Sequence, residues 1–327
     1  MIDFSRKLNI LFMQKPEVLK QQRGQVEKYI KQNSSIDFKI YFASKTEDIV
    51  EGTNIDIIVT PTLDWLPSAL EKVEGCQWIH FLSAGVEKIW KMDFDKENII
   101  LTKSSGVNSA PMSEYALGAM LYFAKQFDRF NEKGQDKTWE REWLEELTGK
   151  KLAILGLGHV GKAVAEKANA FGMKIVGVQR KPKARNGIDK IVPLEQVEEI
   201  IYDSDYIVVC LPLTDDTRQL VDEKFLNTVK PGCVLIDISR GGIVNEDSII
   251  NALDSKKLRG AALDVFEKQP LSSDSKLWQR SNVLITPHVS GTTPFYLERA
   301  IKIFSENLNE LKKSGVLLTR VSVERRY

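Results

Sequence analysis

A glycine-rich segment near the middle of the chain constrains the fold more than any other feature. A short apolar run over residues 152–155 is followed by Gly156, Gly158 and Gly161 in the pattern G-x-G-x-x-G. A helical pattern begins directly after these glycines, and a second apolar run covers residues 175–178. This order predicts a strand, a helix and a parallel strand, the unit from which sheets with helices on both faces are built.

The spacing of the three glycines also suits a dinucleotide. Gly156 permits the tight turn, Gly158 lets the backbone approach a pyrophosphate, and Gly161 lets the helix pack closely on the strand. The phosphates would lie at the helix N-terminus, beside His159 and Val160, where unpaired N–H groups favour anions. The alternative is a glycine-rich turn that binds nothing.

The end of the second strand indicates which dinucleotide would bind. An NAD site usually has an acidic residue there, which hydrogen-bonds to the ribose 2′-hydroxyl. In this chain Gln179, Arg180 and Lys181 occupy that place, and no acidic residue occurs between Glu166 and Asp189. A guanidinium can bind a 2′-phosphate through paired, charge-assisted hydrogen bonds. The segment therefore predicts NADP(H) in preference to NAD(H), with NAD(H) possible; the alternative is a solvated basic loop.

Composition and charge exclude several classes of protein. The 327 residues suffice for two domains with separate cores. The 46 basic and 45 acidic residues give a net charge of +1, so no overall field attracts nucleic acid or a membrane surface. The first apolar stretch is too short for a signal peptide or a membrane span. The scattered Cys76, Cys210 and Cys233 suit a reducing compartment. We therefore expect a cytoplasmic protein without nucleic-acid or membrane partners.

The rest of the chain alternates strands with helices. Residues 1–103 predict one parallel, helix-covered sheet, and residues 110–130 predict a single long helix. The polar segment that follows carries Trp139 and Trp143. Exposed tryptophans often mark a contact surface. We interpret the segment as an arm that packs either on a partner subunit or on its own chain.

Three histidines limit the choice of a proton-transfer residue. His80 lies within an apolar strand and is expected in the core, whereas His159 lies inside the glycine loop. His288 follows Pro287 at the end of a strand, where a rigid scaffold can position a loop imidazole for proton transfer. The alternative is a histidine that caps a turn.

Arg240 is the second candidate for chemistry. It follows an apolar strand and Ser239, and two glycines come directly after it. A guanidinium at that place could bind a carboxylate with two hydrogen bonds and polarise an adjacent carbonyl. The alternative is a surface arginine paired with an acid. No HxxxH, HExxH or Cys/His cluster occurs, so we expect no metal site.

Six ordered motifs resemble those of the D-isomer-specific 2-hydroxyacid dehydrogenases. They are SAGV (83–86), GLGHVG (156–161), LPLTDDTR (211–218), LIDISRGGIVNEDSI (235–249), GAALDVFEKQPL (260–271) and TPHVSG (286–291). The resemblance covers essentially the whole chain. It implies an α/β protein with two Rossmann-like or flavodoxin-like doubly wound parallel-sheet domains, in which the cofactor domain is inserted into the substrate domain. The implied domains are 106–293 for the cofactor and 1–105 with 294–327 for the substrate.

The resemblance also implies roles for residues. Arg240 matches the family's substrate-binding arginine and His288 matches its acid/base, which would protonate the alkoxide formed from a 2-oxo acid. The backbone of Ala84, Gly85 and Val86 would bind the substrate carboxylate. The motifs add further cofactor-binding positions to those of the glycine loop and the second strand: Leu211, Pro212, Thr217, Ile238, Ser239, Arg240, Asp264, His288, Ser290 and Gly291. The family implies a homodimer joined through the cofactor domain, which suits the Trp139/Trp143 arm.

One position departs from the family pattern. The family's third catalytic residue is usually a glutamate five positions after the aspartate of LDVF, and here that position is Gln269. An amide can orient the histidine but adds no charge to favour its protonated form. A glutamine beside the histidine also resembles formate dehydrogenase, where no proton is transferred.

The leading interpretation is an NADPH-dependent reductase of a small 2-oxo acid, similar to glyoxylate/hydroxypyruvate reductases. Gln269 leaves open a catalytically weak nucleotide-sensing or scaffold protein. A phosphoglycerate dehydrogenase-like enzyme is a third possibility, although Gln179 and Arg180 argue against NAD.

Overall fold

A computed structural model describes residues 2–135 and 137–324, which form two compact units. Unit 1 comprises the described residues of 1–108 and 293–327, and unit 2 comprises those of 109–292. Unit 2 is therefore inserted into unit 1 along the chain. The predicted α/β class, with two doubly wound parallel sheets and one domain inserted into the other, is confirmed.

Unit 1 contains the first nine strands and helices and the last helix of the chain. They are β1 (Leu8–Met13), α1 (Pro16–Asn33), β2 (Phe38–Ala43), β3 (Thr53–Asn54), β4 (Ile57–Thr60), α2 (Leu66–Lys72), β5 (Val73–Glu74), β6 (Trp78–Phe81), β7 (Ile100–Lys103) and α9 (Tyr296–Ser314). Five strands form a parallel sheet in the order β2-β1-β4-β6-β7, and β3 pairs with β5.

Both faces of this sheet are buried, as the alternation along β1 requires. Leu8, Ile10 and Phe12 face one apolar cluster, and Leu11 and Met13 face the other. Helices α1 and α9 cover the first of these faces. The chain after α9 completes the edge beside β7, where the Val321 N–H donates to the Leu101 carbonyl at 2.8 Å.

Unit 2 contains the remaining elements. They are α3 (Ser109–Ala124), α4 (Phe127–Gln135), β8 (Lys151–Leu155), α5 (His159–Ala170), β9 (Lys174–Val178), β10 (Lys190–Val192), α6 (Glu198–Ile201), β11 (Tyr206–Val209), α7 (Glu223–Thr228), β12 (Cys233–Asp237), α8 (Glu246–Asp254), β13 (Leu258–Leu263) and β14 (Val283–Ile285). Seven parallel strands run in the order β10-β9-β8-β11-β12-β13-β14. The order reverses between β8 and β11, which is the switch point where doubly wound sheets bind ligands.

The single long helix predicted for residues 110–130 is wrong, because the chain forms α3 and α4 instead. Gln126 separates them with a φ of 52°, a left-handed value that a continuing helix does not contain. The arm that follows is not helical around Trp139 and Trp143, whose side chains are 96% and 98% exposed. Its end returns to α3, where the Glu145 N–H donates to the Ala124 carbonyl at 3.1 Å.

Within the described parts of the chain, no helix combines the length and apolar character needed to cross a bilayer.

Candidate functional site

The register of the unit 2 sheet aligns the carboxyl ends of six strands. Val178, Leu155, Val209, Asp237, Leu263 and Ile285 are successive partners across the sheet. The loops that follow these residues therefore leave the sheet along one edge. They carry the glycine turn, the basic segment, Arg240, Asp264 and His288, so the fold assembles the unit 2 candidates from distant parts of the sequence.

Close backbone packing at the glycine turn explains why glycine is needed there. Gly156 has a φ of 106°, which side chains rarely tolerate. A Cβ at Gly161 would lie 2.0 Å from the Gly156 carbonyl oxygen, so the helix approaches the turn as closely as backbone allows. Helix α5 begins after Gly158, which has no side chain to cap the first amides. Its N-terminus therefore suits a phosphate.

The end of β9 presents amide and cationic groups beside this turn. Arg180 and Lys181 are exposed. The Gln179 N–H donates to the Val192 carbonyl at 3.0 Å. The Gln179 Oε1 atom is buried and has no hydrogen-bond partner among the described residues. This acceptor would suit a hydroxyl donor of a bound nucleotide.

Arg240 follows β12 in a tightly bonded turn. Its Nη1 donates to the Ser239 carbonyl at 2.9 Å, and Arg240 is half-buried. Ser239 in turn donates to Asp237 Oδ1 through its N–H at 2.9 Å and its hydroxyl at 2.5 Å. Burial, reinforced by the nearby Asp264 carboxylate and opposed by the Ser239 hydrogen bonds, raises the pKa of Asp237 to about 7. The turn carrying the guanidinium is thus anchored to a buried carboxyl group.

His288 is held in a left-handed conformation after β14, with a φ of 55°. Its N–H donates to the Asp264 carbonyl at 2.9 Å, and its exposed ring meets Gln269 through a 2.9 Å contact between Nδ1 and Oε1. The Gln269 Nε2 donates to the Phe266 carbonyl at 3.1 Å. The structure thus brings His288 and Gln269 into direct contact, as the resemblance implies.

Asp264 fixes the loop that carries the histidine. Its fully buried carboxylate accepts from the Thr286 hydroxyl at 2.6 Å and from the Val289 and Ser290 N–H groups at 2.8 and 2.9 Å. Because Thr286 donates its proton to Asp264, the Tyr115 hydroxyl donates to Thr286, at 2.7 Å. Burial raises the pKa of Tyr115 to about 12. Sequence reasoning missed this anchoring; an acidic residue directly after a buried strand is the signal that could have indicated it.

The remaining cofactor candidates lie on the same edge with different exposure. Thr217 is buried, and its hydroxyl donates to the Pro212 carbonyl at 2.7 Å, which closes the loop after β11. Ile238 and Ser290 are buried, whereas Leu211 is half-buried.

The substrate-binding candidates of unit 1 follow β6. Ala84 and Gly85 are half-buried and Val86 is buried. The Ser83 hydroxyl donates to the Gly85 carbonyl at 2.7 Å, which stabilises the turn. These residues lie at the carboxyl edge of the unit 1 sheet, the usual side for ligands in open α/β sheets.

His80 lies in the unit 1 core. The Ser104 hydroxyl donates to the Phe81 carbonyl at 3.2 Å, so its oxygen accepts from His80 Nε2 at 3.0 Å. The proton of the neutral ring is therefore on Nε2, and Nδ1 accepts from the Thr102 hydroxyl at 2.7 Å. Trp78 Nε1 donates to the same Thr102 hydroxyl at 2.7 Å. Burial lowers the pKa of His80 to about 3, in keeping with the core position expected for it.

Among the described side chains, no group of three or more His, Cys, Asp or Glu residues is arranged to hold a metal ion. The glycine turn, the orphaned Gln179 oxygen and the basic end of β9 instead fit a dinucleotide.

A glycine turn at the switch point of a seven-stranded parallel sheet places this chain in the class of Rossmann-fold dinucleotide enzymes. Comparison with known proteins narrows the class. Residues 117–290 match the family model described as D-isomer specific 2-hydroxyacid dehydrogenase, NAD binding domain. The chain belongs to this family, and it is an NAD(P)-dependent oxidoreductase acting on CH–OH donors.

Relatives extend the similarity beyond that domain. A glyoxylate reductase of Thermococcus litoralis is 31% identical over 80% of this chain and 82% of its own length. A hydroxypyruvate reductase of Thermotoga maritima is 30% identical over 68% of this chain and 74% of its own. A crystal structure of a D-isomer specific 2-hydroxyacid dehydrogenase family protein from Aeromonas salmonicida is 28% identical. It covers 97% of this chain and 99% of its own, with a TM-score of 0.82.

Proposed function

We propose that this enzyme reduces a small 2-oxo acid to the D-2-hydroxy acid and that it prefers NADPH. The contact between His288 and Gln269, on the sheet edge that also carries Arg240, is the observation that supports it. The relatives named for glyoxylate and hydroxypyruvate reduction make those two acids the first substrates to test.

The cofactor would be held by groups along the unit 2 edge. Gly156, Gly158 and Gly161 would receive the pyrophosphate, and Arg180 with Lys181 would bind a 2′-phosphate. We accordingly propose residues 106–293 as the cofactor domain and 1–105 with 294–327 as the substrate domain. When bound, the reduced nicotinamide supplies a hydride to the carbonyl carbon of the substrate.

Two side chains would complete the reaction. Protonated His288 would donate its Nε2 proton to the developing alkoxide, while Gln269 orients the ring from the other nitrogen. Arg240 would bind the substrate carboxylate and stabilise negative charge on the carbonyl oxygen. The N–H groups of Ala84, Gly85 and Val86 would contribute further donors to the carboxylate.

The decisive experiment follows NADPH oxidation with glyoxylate, hydroxypyruvate, pyruvate and bulkier 2-oxo acids. We expect turnover with at least one small acid and a larger kcat/KM for NADPH than for NADH. Chiral analysis of the product should give the D isomer. A larger kcat/KM for NADH would refute the cofactor preference, and cofactor binding without turnover would favour a nucleotide-sensing protein.

Variants then separate the roles. We expect His288→Ala to lower kcat by about 100-fold or more. Arg240→Ala should lower kcat and raise KM, because the guanidinium would act on both substrate and transition state. Arg280→Ala is the matched control, since Arg280 pairs with Asp254 at 2.7 Å and precedes β14, away from the carboxyl edge of the sheet. Equal losses in Arg240→Ala and Arg280→Ala would contradict a role for Arg240.

The exposed arm supports a proposal about assembly. Trp139 and Trp143 are almost fully exposed, and the adjacent Leu144 is 43% exposed. A second copy of the chain that covers them would remove this apolar surface from water. We expect sedimentation to show a dimer, and Trp139→Ser/Trp143→Ser to weaken it. Wild-type monomers throughout the micromolar range would contradict the proposal.

A further inference from the structure

The loop after β6 in unit 1 has its carbonyl groups engaged by hydrogen-bond donors. Tyr296 on α9 donates its hydroxyl proton to the Leu82 carbonyl at 2.8 Å, across 214 positions of the sequence. The Ser83 hydroxyl donates to the Gly85 carbonyl at 2.7 Å. The Ser104 N–H, which follows β7, donates to the Ser83 carbonyl at 3.2 Å. Three carbonyl groups of the loop are thus held by three different donors.

The N–H groups of the same loop are used differently. Within the described parts of the chain, the backbone N–H groups of residues 83–86 donate to no acceptor. Backbone N–H groups that are left without a protein acceptor bind water or a ligand. A loop that presents several successive N–H groups in this way binds anions. The loop therefore has the polarity of an anion-binding site.

The planar peptide unit connects these two observations. In a trans peptide, the C=O of one residue and the N–H of the next residue point in opposite directions. Because the Leu82 carbonyl is held by α9, the Ser83 N–H points away from that helix. In the same way, the bonded carbonyl of Ser83 fixes the direction of the Ala84 N–H. The bonded carbonyl of Gly85 fixes the direction of the Val86 N–H.

The tyrosine hydroxyl is a suitable donor for this purpose because it stays neutral. The Leu82 carbonyl can only accept, so the Tyr296 hydroxyl must keep its proton. Burial raises the pKa of Tyr296 to about 12. The ring of Tyr296 packs against the same apolar cluster as Ala84, which restricts where the hydroxyl can lie. No negative charge therefore arises at this hydroxyl near neutral pH.

We propose that Tyr296 and Ser83 are positioning residues for the substrate carboxylate. Their hydroxyl groups hold two carbonyls of the loop away from the ligand, so that the N–H groups of residues 83–86 face it. Both side chains act through peptide groups and not through the reacting atoms. The inference rests on the proposed function, because the ligand is the carboxylate of the 2-oxo acid.

Steady-state kinetics with a small 2-oxo acid and NADPH tests both hydroxyl groups. Tyr296→Phe keeps the ring but removes the hydrogen bond, so the Leu82 carbonyl can turn toward the bound carboxylate. We expect the KM for the 2-oxo acid to rise about 5- to 10-fold, with kcat and the KM for NADPH changed by less than about twofold. Ser83→Ala should raise the same KM, whereas Ser83→Thr keeps a hydroxyl and should leave it near the wild-type value.

Tyr29→Phe is the matched control, because Tyr29 packs against the same apolar cluster from α1. It should leave both KM values unchanged. An equal rise in KM in Tyr29→Phe and Tyr296→Phe would overturn the proposal, because it would show a general effect of packing. A wild-type KM in both Tyr296→Phe and Ser83→Ala would also overturn it. If Tyr296→Phe does not fold, the comparison of Ser83→Ala with Ser83→Thr still provides a test.

A binding measurement separates this proposal from the proposed function. Oxamate is a carboxylate that resembles a 2-oxo acid but does not accept a hydride. In the 15N-labelled full chain with NADPH present, oxamate should move the amide proton signals of residues 83–86. Its Kd should be about 5- to 10-fold higher for Tyr296→Phe than for the wild type. Oxamate that binds without moving these signals would refute the assignment of the loop.

The two measurements distinguish the two failures. If the wild type reduces no 2-oxo acid, the proposed function fails, whereas the oxamate titration still tests the loop and its two hydroxyl groups. If reduction occurs and neither variant changes the KM for the 2-oxo acid, the positioning role is refuted and the enzyme assignment stands.

Discussion

Acid should destabilise unit 1 through His80. The ring is fully buried, accepts from Thr102 and donates to Ser104, so both nitrogens of the neutral ring have hydrogen-bond partners. Burial lowers its pKa from 6.5 to about 3. Between these two values the unfolded chain binds a proton at this position and the folded chain does not. Stability contributed by the neutral ring is therefore complete above pH 6.5 and is lost as the pH falls.

The magnitude follows from the width of that window. Each pH unit within it shifts the balance between folded and unfolded states by about 1.4 kcal/mol. Acidification from neutral pH to about pH 5 should thus cost about 2 kcal/mol at this residue. That corresponds to an increase of about 30-fold in the population of the opened state. For a domain of ordinary stability this loss is a large fraction of the total free energy of unfolding.

Hydrogen exchange measures this loss of stability at the strand that contains His80. The amides of β6, which contains His80, should lose about 30-fold in protection between neutral pH and about pH 5, beyond the change seen in His80→Gln. The glutamine keeps one acceptor and one donor for Thr102 and Ser104 but cannot titrate. Carboxylates elsewhere contribute equally to both proteins, so the difference isolates the histidine.

An equal acid dependence in the wild type and His80→Gln would refute this reasoning. If the variant does not fold, the wild type still provides a test. The ring signals of His80 should not titrate in the folded protein near pH 6.5, and a native-state titration there would show that the imidazole is not desolvated.

Three further changes have defined outcomes. Gly161→Ala should abolish NADPH binding measured by calorimetry, because a Cβ at position 161 would lie 2.0 Å from the Gly156 carbonyl oxygen in the turn. Gly118→Ala is the control and should bind NADPH normally, because nothing lies within 4 Å of its Cβ position. The pKa of Asp237 is raised to about 7 in the folded protein, so the stability that its protonated carboxyl group contributes is lost as the pH rises from 3.8 to about 7. Denaturation should therefore show that the free energy of unfolding of Asp237→Asn rises relative to that of the wild type between about pH 5 and about pH 8. Asn245→Ala should destabilise unit 2 by about 1 kcal/mol in urea unfolding, since Asn245 caps α8 through the Ser248 N–H at 2.8 Å.

Local patterns predicted the elements that carry their own signals. The bounds of β1 agree with the apolar run at residues 8–13, and the strand-turn-helix at Gly156 agrees with the glycine spacing. The break at Gln126 was not predictable, because the apolar spacing continues across it at Phe127 and Phe130. Strands β7 and β10 are short and only partly apolar, so no local pattern predicts them.

Only part of the candidate site could be predicted from the sequence. His288 and Arg240 were identifiable because each follows an apolar strand, but the hydrogen bonds that hold their loops were not predictable. Asp264 accepts from groups 22 to 26 positions away along the chain, and no local spacing indicates such pairing. The orientation of Gln269 likewise depends on the Phe266 carbonyl, which lies close to the backbone of Gly241 on another loop.

The insertion of unit 2 sets an order for synthesis. Helix α9 supplies Ile301, Phe304 and Leu308 to the core of unit 1, and it follows the whole of residues 109–292. At about 5–20 residues per second, a ribosome takes about 10–40 s to make that interval. During this time the first 108 residues lack one of the two helices that cover this face of their sheet. The inserted unit can fold first, whereas the core of the earlier segment stays incomplete until helix α9 has been made.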